Sequence, residues 1–164
     1  MKLIHIISDG IYKLEKLAAI VLCLIILISL SAGVIYRYFL SSPLTWSDET
    51  AIFSLIWLTF IGGSMSIKRQ NAPAITIIYD RLHGMARKIF LIFSTIAVFV
   101  FVAYILYLSI NWLSSPNISV QKSSSMQMPM IYAYLSVPVS FLLMTIHSLD
   151  VIIKNLRLKK EGIF

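Results

Sequence analysis

The chain has 164 residues, of which 59% are apolar and only 13% charged, against roughly 45 to 50% and about 25% in soluble domains. A mean hydropathy of +0.87 leaves too few charged side chains to clothe a water-facing surface, which excludes a soluble globular domain. The formal net charge of +7 does not imply nucleic acid, because the basic residues follow a membrane plane instead of forming a patch. Cys23 is the sole cysteine, so there is no disulfide within the chain and no cysteine cluster for a metal.

Four stretches carry no Asp, Glu, Lys or Arg: 17–36, 50–67, 89–121 with its apolar part ending near Leu113, and 123–149. A helix crosses ~30 Å of hydrocarbon with ~20 apolar residues. The pattern therefore predicts one all-α integral membrane domain over residues 1–164, with spans at about 17–38, 48–67, 89–113 and 131–150. A signal peptide is the rival reading of the first stretch, but the apolar run outlasts an h-region of ~7 to 15 residues. The first span is expected to be retained.

Lys and Arg number three before the first span, one in the first loop (Arg37), five in the second loop, one in the third (Lys122) and four after the last span. That bias places both termini and the second loop in the cytoplasm. Two inner segments, at about 3–16 and 74–88, also have the pattern of short amphipathic helices in the headgroup layer. Ile4, Ile7, Ile11 and Leu14 share one face of the first; Ile75, Ile78, Leu82 and Met85 share one face of the second. The competing reading is that each extends a spanning helix into water.

The spans carry little chemistry. With no carboxylate or base in a span interior, proton relay and acid/base catalysis lack an instrument. His5, His83 and His147 lie on separate segments and supply no paired haem ligands. Gly62, Gly63 and Pro138 interrupt spans. Gly62 with Ser66, Ser29 with Gly33, and Ser136 with Ser140 form small-xxx-small pairs that suit close helix packing better than a substrate site. No catalytic residue, metal site or cofactor is expected.

The first outer loop is the informative one. Tyr36, Tyr38 and Trp46 suit the outer interface, Pro43 separates the first two spans, and Thr45 with Asp48 resembles a capping box. Asp48 and Glu49 fall at the positive end of the second span. Arg37 faces these two acids across a short turn, so an ion pair to Glu49 or to a partner subunit is an expectation.

Arg37, Tyr38, Pro43, Leu44, Trp46 and Glu49, followed by Trp57 and by Gly62 and Gly63 before a basic loop, resemble the small membrane subunit (DctQ type) of tripartite ATP-independent periplasmic (TRAP) transporters. Ser125, Pro129, Tyr134 and Pro138 are similar to the family's approach to its last span. The loop after the second span departs from the family, with Ala72 and Thr76 where many relatives carry histidine and aspartate. The resemblance implies a partnership with a much larger, elevator-type membrane subunit that holds the substrate and sodium sites, and with a periplasmic binding protein that delivers an organic acid such as a sialic acid or a C4-dicarboxylate. This chain would brace the large subunit in the bacterial inner membrane. Arg37, Tyr38, Trp46, Asp48, Glu49, Trp57, Gly62, Gly63, Tyr134 and Pro138 would be its interface residues.

Two other classes compete: a self-sufficient four-helix carrier acting as a homodimer, which would normally show an intramembrane acid, and a membrane oxidoreductase subunit, which would need paired histidines or cysteines in its spans. Orientation is directly testable. Cysteines placed at Ser42 and Ser124 in a Cys23-free background should react with an impermeant thiol reagent from the periplasmic side; reaction only after access from the cytoplasm would invert the topology.

Overall fold

The computed structural model of the chain describes residues 2–69 and 84–160. Its helices are α1 (Lys2–Phe39), α2 (Thr45–Arg69), α3 (Gly84–Leu113), the single turns α4 (Pro116–Ser119) and α5 (Ile131–Tyr134), and α6 (Ser136–Lys160). Four candidate spans follow, Ile4–Phe39, Thr45–Arg69, Ile89–Leu113 and Ile131–Asn155, the last made of α5 and α6. The all-helical, four-span prediction holds, because only a helix satisfies all its backbone polar groups within one segment in lipid.

The first 15 residues differ from the expectation of a separate interfacial helix. They run without a break into the first span, giving a helix of 38 residues, roughly 57 Å at 1.5 Å per residue. Its polar side explains why. Ser8 and Glu15 are buried against the bundle while Ile6, Ile7 and Leu14 point away from it, so the arm is docked by its polar face. The second expected interfacial segment, 74–88, falls largely outside the described residues, as do Ala72 and Thr76.

Packing runs in the order α1, α2, α6, α3. α1 lies along α2, α6 lies against both α2 and α3, and α1 meets α6 over a much shorter stretch. The fourth span is the central one: 44% of its most apolar window is buried, against 6% in each of the first and third. Small residues line the contacts. Ser29, Ser47, Ser54, Ser64, Ser136 and Ser140 are all buried, whereas Leu27, Ile28, Phe93 and Phe101 are exposed. In lipid there is no hydrophobic drive to hide large apolar groups, so close backbone approach decides the interface.

Two of the three small-residue pairs lie at such contacts. A Cβ on Gly33 would stand 2.7 Å from Ser47 Oγ, and Ser136 and Ser140 are fully buried. The third is displaced by one residue: Gly62 has open space around it and Ser66 is exposed, while Gly63 faces Met144. Near the head of α6, Pro138 has no backbone N–H and leaves the Tyr134 carbonyl without its usual helical donor, which fits the interruption between α5 and α6.

Helix ends follow local chemistry. Ser41 ends α1 in the left-handed region at φ 50°, the place glycine usually takes, and the N–H groups of Leu40 and Ser42 both donate to the Tyr36 carbonyl. α2 begins at Thr45 itself, so Thr45 stands inside the first turn, and Ser47 Oγ donates to the Leu44 carbonyl at 2.9 Å.

Gly33→Ala should destabilise the fold by about 1 to 3 kcal/mol, because the added methyl meets a serine hydroxyl committed to that hydrogen bond. Gly63→Ala should cost less, since its neighbour is the flexible end of Met144. Thermal unfolding of the two variants in detergent checks the order; equal melting shifts would remove Gly33 as a close-contact position.

Candidate functional site

The predicted loop residues form a site where the start of α2 meets the chain between α3 and α6. Residues 121–130 fold back on themselves: Ser123 N–H donates to the Met128 carbonyl at 2.8 Å, Met130 N–H donates to the Gln121 carbonyl at 2.9 Å, and Gln127 takes φ 54° at the bend. Glu49 holds this turn. Its Oε1 accepts from Ser125 N–H at 2.6 Å, and its Oε2 accepts from Met126 N–H at 2.8 Å and from Ser123 Oγ at 2.7 Å. A carboxylate that accepts several N–H and O–H bonds is a strong local organiser.

Arg37 pairs elsewhere. Its guanidinium lies 3.6 Å from Asp48, not at Glu49, and both side chains are more than half exposed. Such a pair contributes little to stability and keeps both charges accessible. Of the other predicted residues, Trp57 Nε1 donates to the Tyr132 carbonyl at 3.0 Å and ties α2 to the head of the fourth span. Tyr134 donates to Gln121 Oε1 at 2.8 Å and stacks edge-on against Trp112 with ring centroids 4.9 Å apart. Thus Glu49, Trp57 and Tyr134 each tie down the segment 121–134. Tyr38 and Trp46 stay exposed, Gly62 and Gly63 lie within α2, and Pro138 lies in the first turn of α6.

A second cluster, at the opposite end of the same bundle, was not among the predicted sites. Lys68 Nζ donates to Asp9 Oδ1 at 2.7 Å, Asp150 Oδ2 at 2.7 Å and Ser8 Oγ at 2.8 Å, so all three ammonium protons are used. His147, fully buried, sets Nδ1 2.8 Å from Ser8 Oγ and Nε2 3.1 Å from Glu15 Oε2. Lysine can only donate, so Ser8 Oγ accepts from Lys68. The assignment that gives every donor an acceptor then has Ser8 donating to His147 Nδ1 and His147 Nε2–H donating to Glu15. His5 faces Asp150 at 3.2 Å and Asp9 at 3.6 Å.

The expectation of span interiors without a carboxylate or base did not reach to the span ends, where Glu15, His147 and Asp150 are all buried. Among the described residues, no group of three or more His, Cys, Asp or Glu has metal-site geometry. The apolar face of the first segment masked the signal. His5, Ser8, Tyr12 and Glu15 recur at three- and four-residue steps, as do His147 and Asp150, and each set defines one helical face. A polar stripe at that spacing beside a span marks an inward face when the outer surroundings are apolar.

Glu49→Ala should speed hydrogen exchange at the Ser125 and Met126 amides severalfold, because both lose their acceptor. Arg37→Gln should leave those amides unchanged, since Arg37 contacts Asp48. Equal exchange in both variants would remove Glu49 as the organiser of the turn.

The family described as Tripartite ATP-independent periplasmic transporters, DctQ component, matches residues 17–158. The chain is 28% identical over 148 residues to the isethionate TRAP transporter permease protein DctMQ of Oleidesulfovibrio alaskensis, a match covering 87% of this chain and 23% of that protein. It is 26% identical over 146 residues to the ectoine TRAP transporter small permease protein TeaB of Halomonas elongata, covering 87% of this chain and 76% of that one. The chain thus spans about a quarter of the length of the first relative and about three quarters of the second. The match covers well over half of a chain with four helices long and apolar enough to cross a membrane, and the chain belongs to the DctQ component family of TRAP transporters, a non-catalytic, multi-pass membrane part of a transporter.

Proposed function

We propose that this chain is the fixed small permease subunit of a sodium-coupled, binding-protein-dependent carrier of a small organic acid, and that it braces a larger elevator-type membrane subunit in the bacterial inner membrane with both its termini in the cytoplasm. The observation that carries the reading is the family match over residues 17–158. Further support comes from the relative in which the matching part is 23% of one longer permease polypeptide, as a small part working beside a large one requires. The substrate and sodium sites then belong to the large subunit. The outer rim held by Glu49, with Arg37 and Asp48 accessible beside it, is the surface where a periplasmic binding protein docks. Charged groups on such a rim steer association and set register more than they add affinity.

The matched relatives are named for isethionate and ectoine. They support a small polar organic solute and lend nothing to the narrower choice of sialic acid or a C4-dicarboxylate. A homodimeric carrier is the reading favoured by buried Glu15 and Asp150, since an intramembrane acid is what such a carrier uses. Their partners weigh against it: Asp150 is held by Lys68 and His5, and Glu15 by His147, all within one chain.

Affinity purification of the chain from its native membrane should bring down a large hydrophobic polypeptide in fixed ratio, and the chain alone in liposomes should take up no organic acid under a sodium gradient. Uptake by the purified chain alone, or recovery purely as a homodimer, would overturn the accessory reading.

A further inference from the structure

We propose that the inner-end polar cluster is a clasp that fixes residues 2–15 of α1 onto α2 and α6, so that arm and bundle move as one rigid body, with Lys68 as the positioning residue on which the clasp closes. The proposal deepens the reading of the chain as a fixed support and rests on it for its purpose, while its test reads only distances within this chain.

The arm is not held by apolar burial. Ile6, Ile7 and Leu14 are 68%, 46% and 69% exposed, whereas Ser8 and Glu15 are 0% and 3% exposed. Nor is it held by extensive helix packing on α6, because α1 follows α2 and meets α6 only briefly. What joins α1 to α6 is a set of three side-chain contacts. His5 of α1 reaches Asp150 of α6, and His147 of α6 reaches both Ser8 and Glu15 of α1. Lys68 enters from α2 between them and bonds to both helices at once.

The physical consequence is cooperative. Hydrogen bonds in a low-dielectric site strengthen one another, and each group left without its partner is costly. Removing the ammonium leaves the carboxylates of Asp9 and Asp150 facing each other with only His5 between them, and it deprives Ser8 of the donor that sets its bond to His147. The cluster therefore holds together or parts together. α2 remains joined to α5, at the head of the fourth span, through Trp57 and Tyr132, so opening is confined to the inner end.

The test uses the full chain with Cys23→Ser in lipid nanodiscs and spin labels at Ile6→Cys and Lys154→Cys, both exposed, with an outer reference pair at Tyr38→Cys and Ser124→Cys. Pulsed dipolar spectroscopy should give one narrow inner distance. Lys68→Met should lose that peak to a broad, longer distribution while the outer pair is unchanged, and Leu14→Ala should keep it. A narrow inner peak that survives Lys68→Met overturns the clasp, as does equal broadening by Leu14→Ala, which would assign the hold to apolar packing. Should Lys68→Met disturb the outer pair too, Ser8→Ala decides: partial loss of the inner peak with the outer pair intact supports the clasp, and an intact inner peak overturns it.

Discussion

Lys68 has three protons and three acceptors, drawn from two other helices, and one end of the bundle is arranged around that match. An ammonium at the end of a spanning helix ordinarily snorkels to the headgroups. Here it turns inward, its side chain only 13% exposed, onto Asp150, which is 8% exposed. Breaking such a pair by removing one member costs ~3 to 5 kcal/mol, because the other charge stays buried alone. Geometry of that quality constrains helix register strongly. A slip of α2 by one residue would turn Lys68 about 100° around the helix and away from Asp9 and Asp150 together.

Polar ties are used at both ends of the bundle, and small residues in between. At one end a single carboxylate, Glu49, gathers a whole turn through Ser123, Ser125 and Met126. At the other end three carboxylates share one lysine and two histidines. Between them the helices approach through serine and glycine, with Gly33 against Ser47 as the closest case. Glu15 Oε1, Ser64 Oγ and Ser140 Oγ are buried without a hydrogen-bond partner among the described residues, and buried polar oxygens of this kind are where internal water usually sits.

The proposed support role fits this division. Catalysis and transport need groups poised to change state, whereas the carboxylates in this bundle are engaged within the chain by cations, histidines or backbone donors. The outward surface of α1 and α3 is left to large apolar side chains, suited to lipid and to the apolar flank of a membrane partner. The chain's internal polar chemistry thus serves shape, and its surface serves contact.

Composition and charge distribution were enough to read four spans, because lipid imposes a length and a polarity on any segment that crosses it. The loop residues Arg37, Trp46, Glu49 and Tyr134 were also legible as important, since their types and order stand out in an apolar chain. Their partners were not. Arg37 lies opposite both Asp48 and Glu49 in sequence, and only the pitch of α2 sends one acid to Arg37 and the next to the turn at 123–126. Likewise, Ser8, Lys68 and His147 are 60 and 79 residues apart in pairwise steps along the chain, and no local pattern ties them together. Sequence alone determined that the chain is a four-helix membrane protein, because lipid sets that locally, while the transporter family rested on the resemblance of its loop residues. Tertiary structure alone decided that the polar side of the first 15 residues faces inward, because that orientation depends on groups on α2 and α6 that can satisfy it.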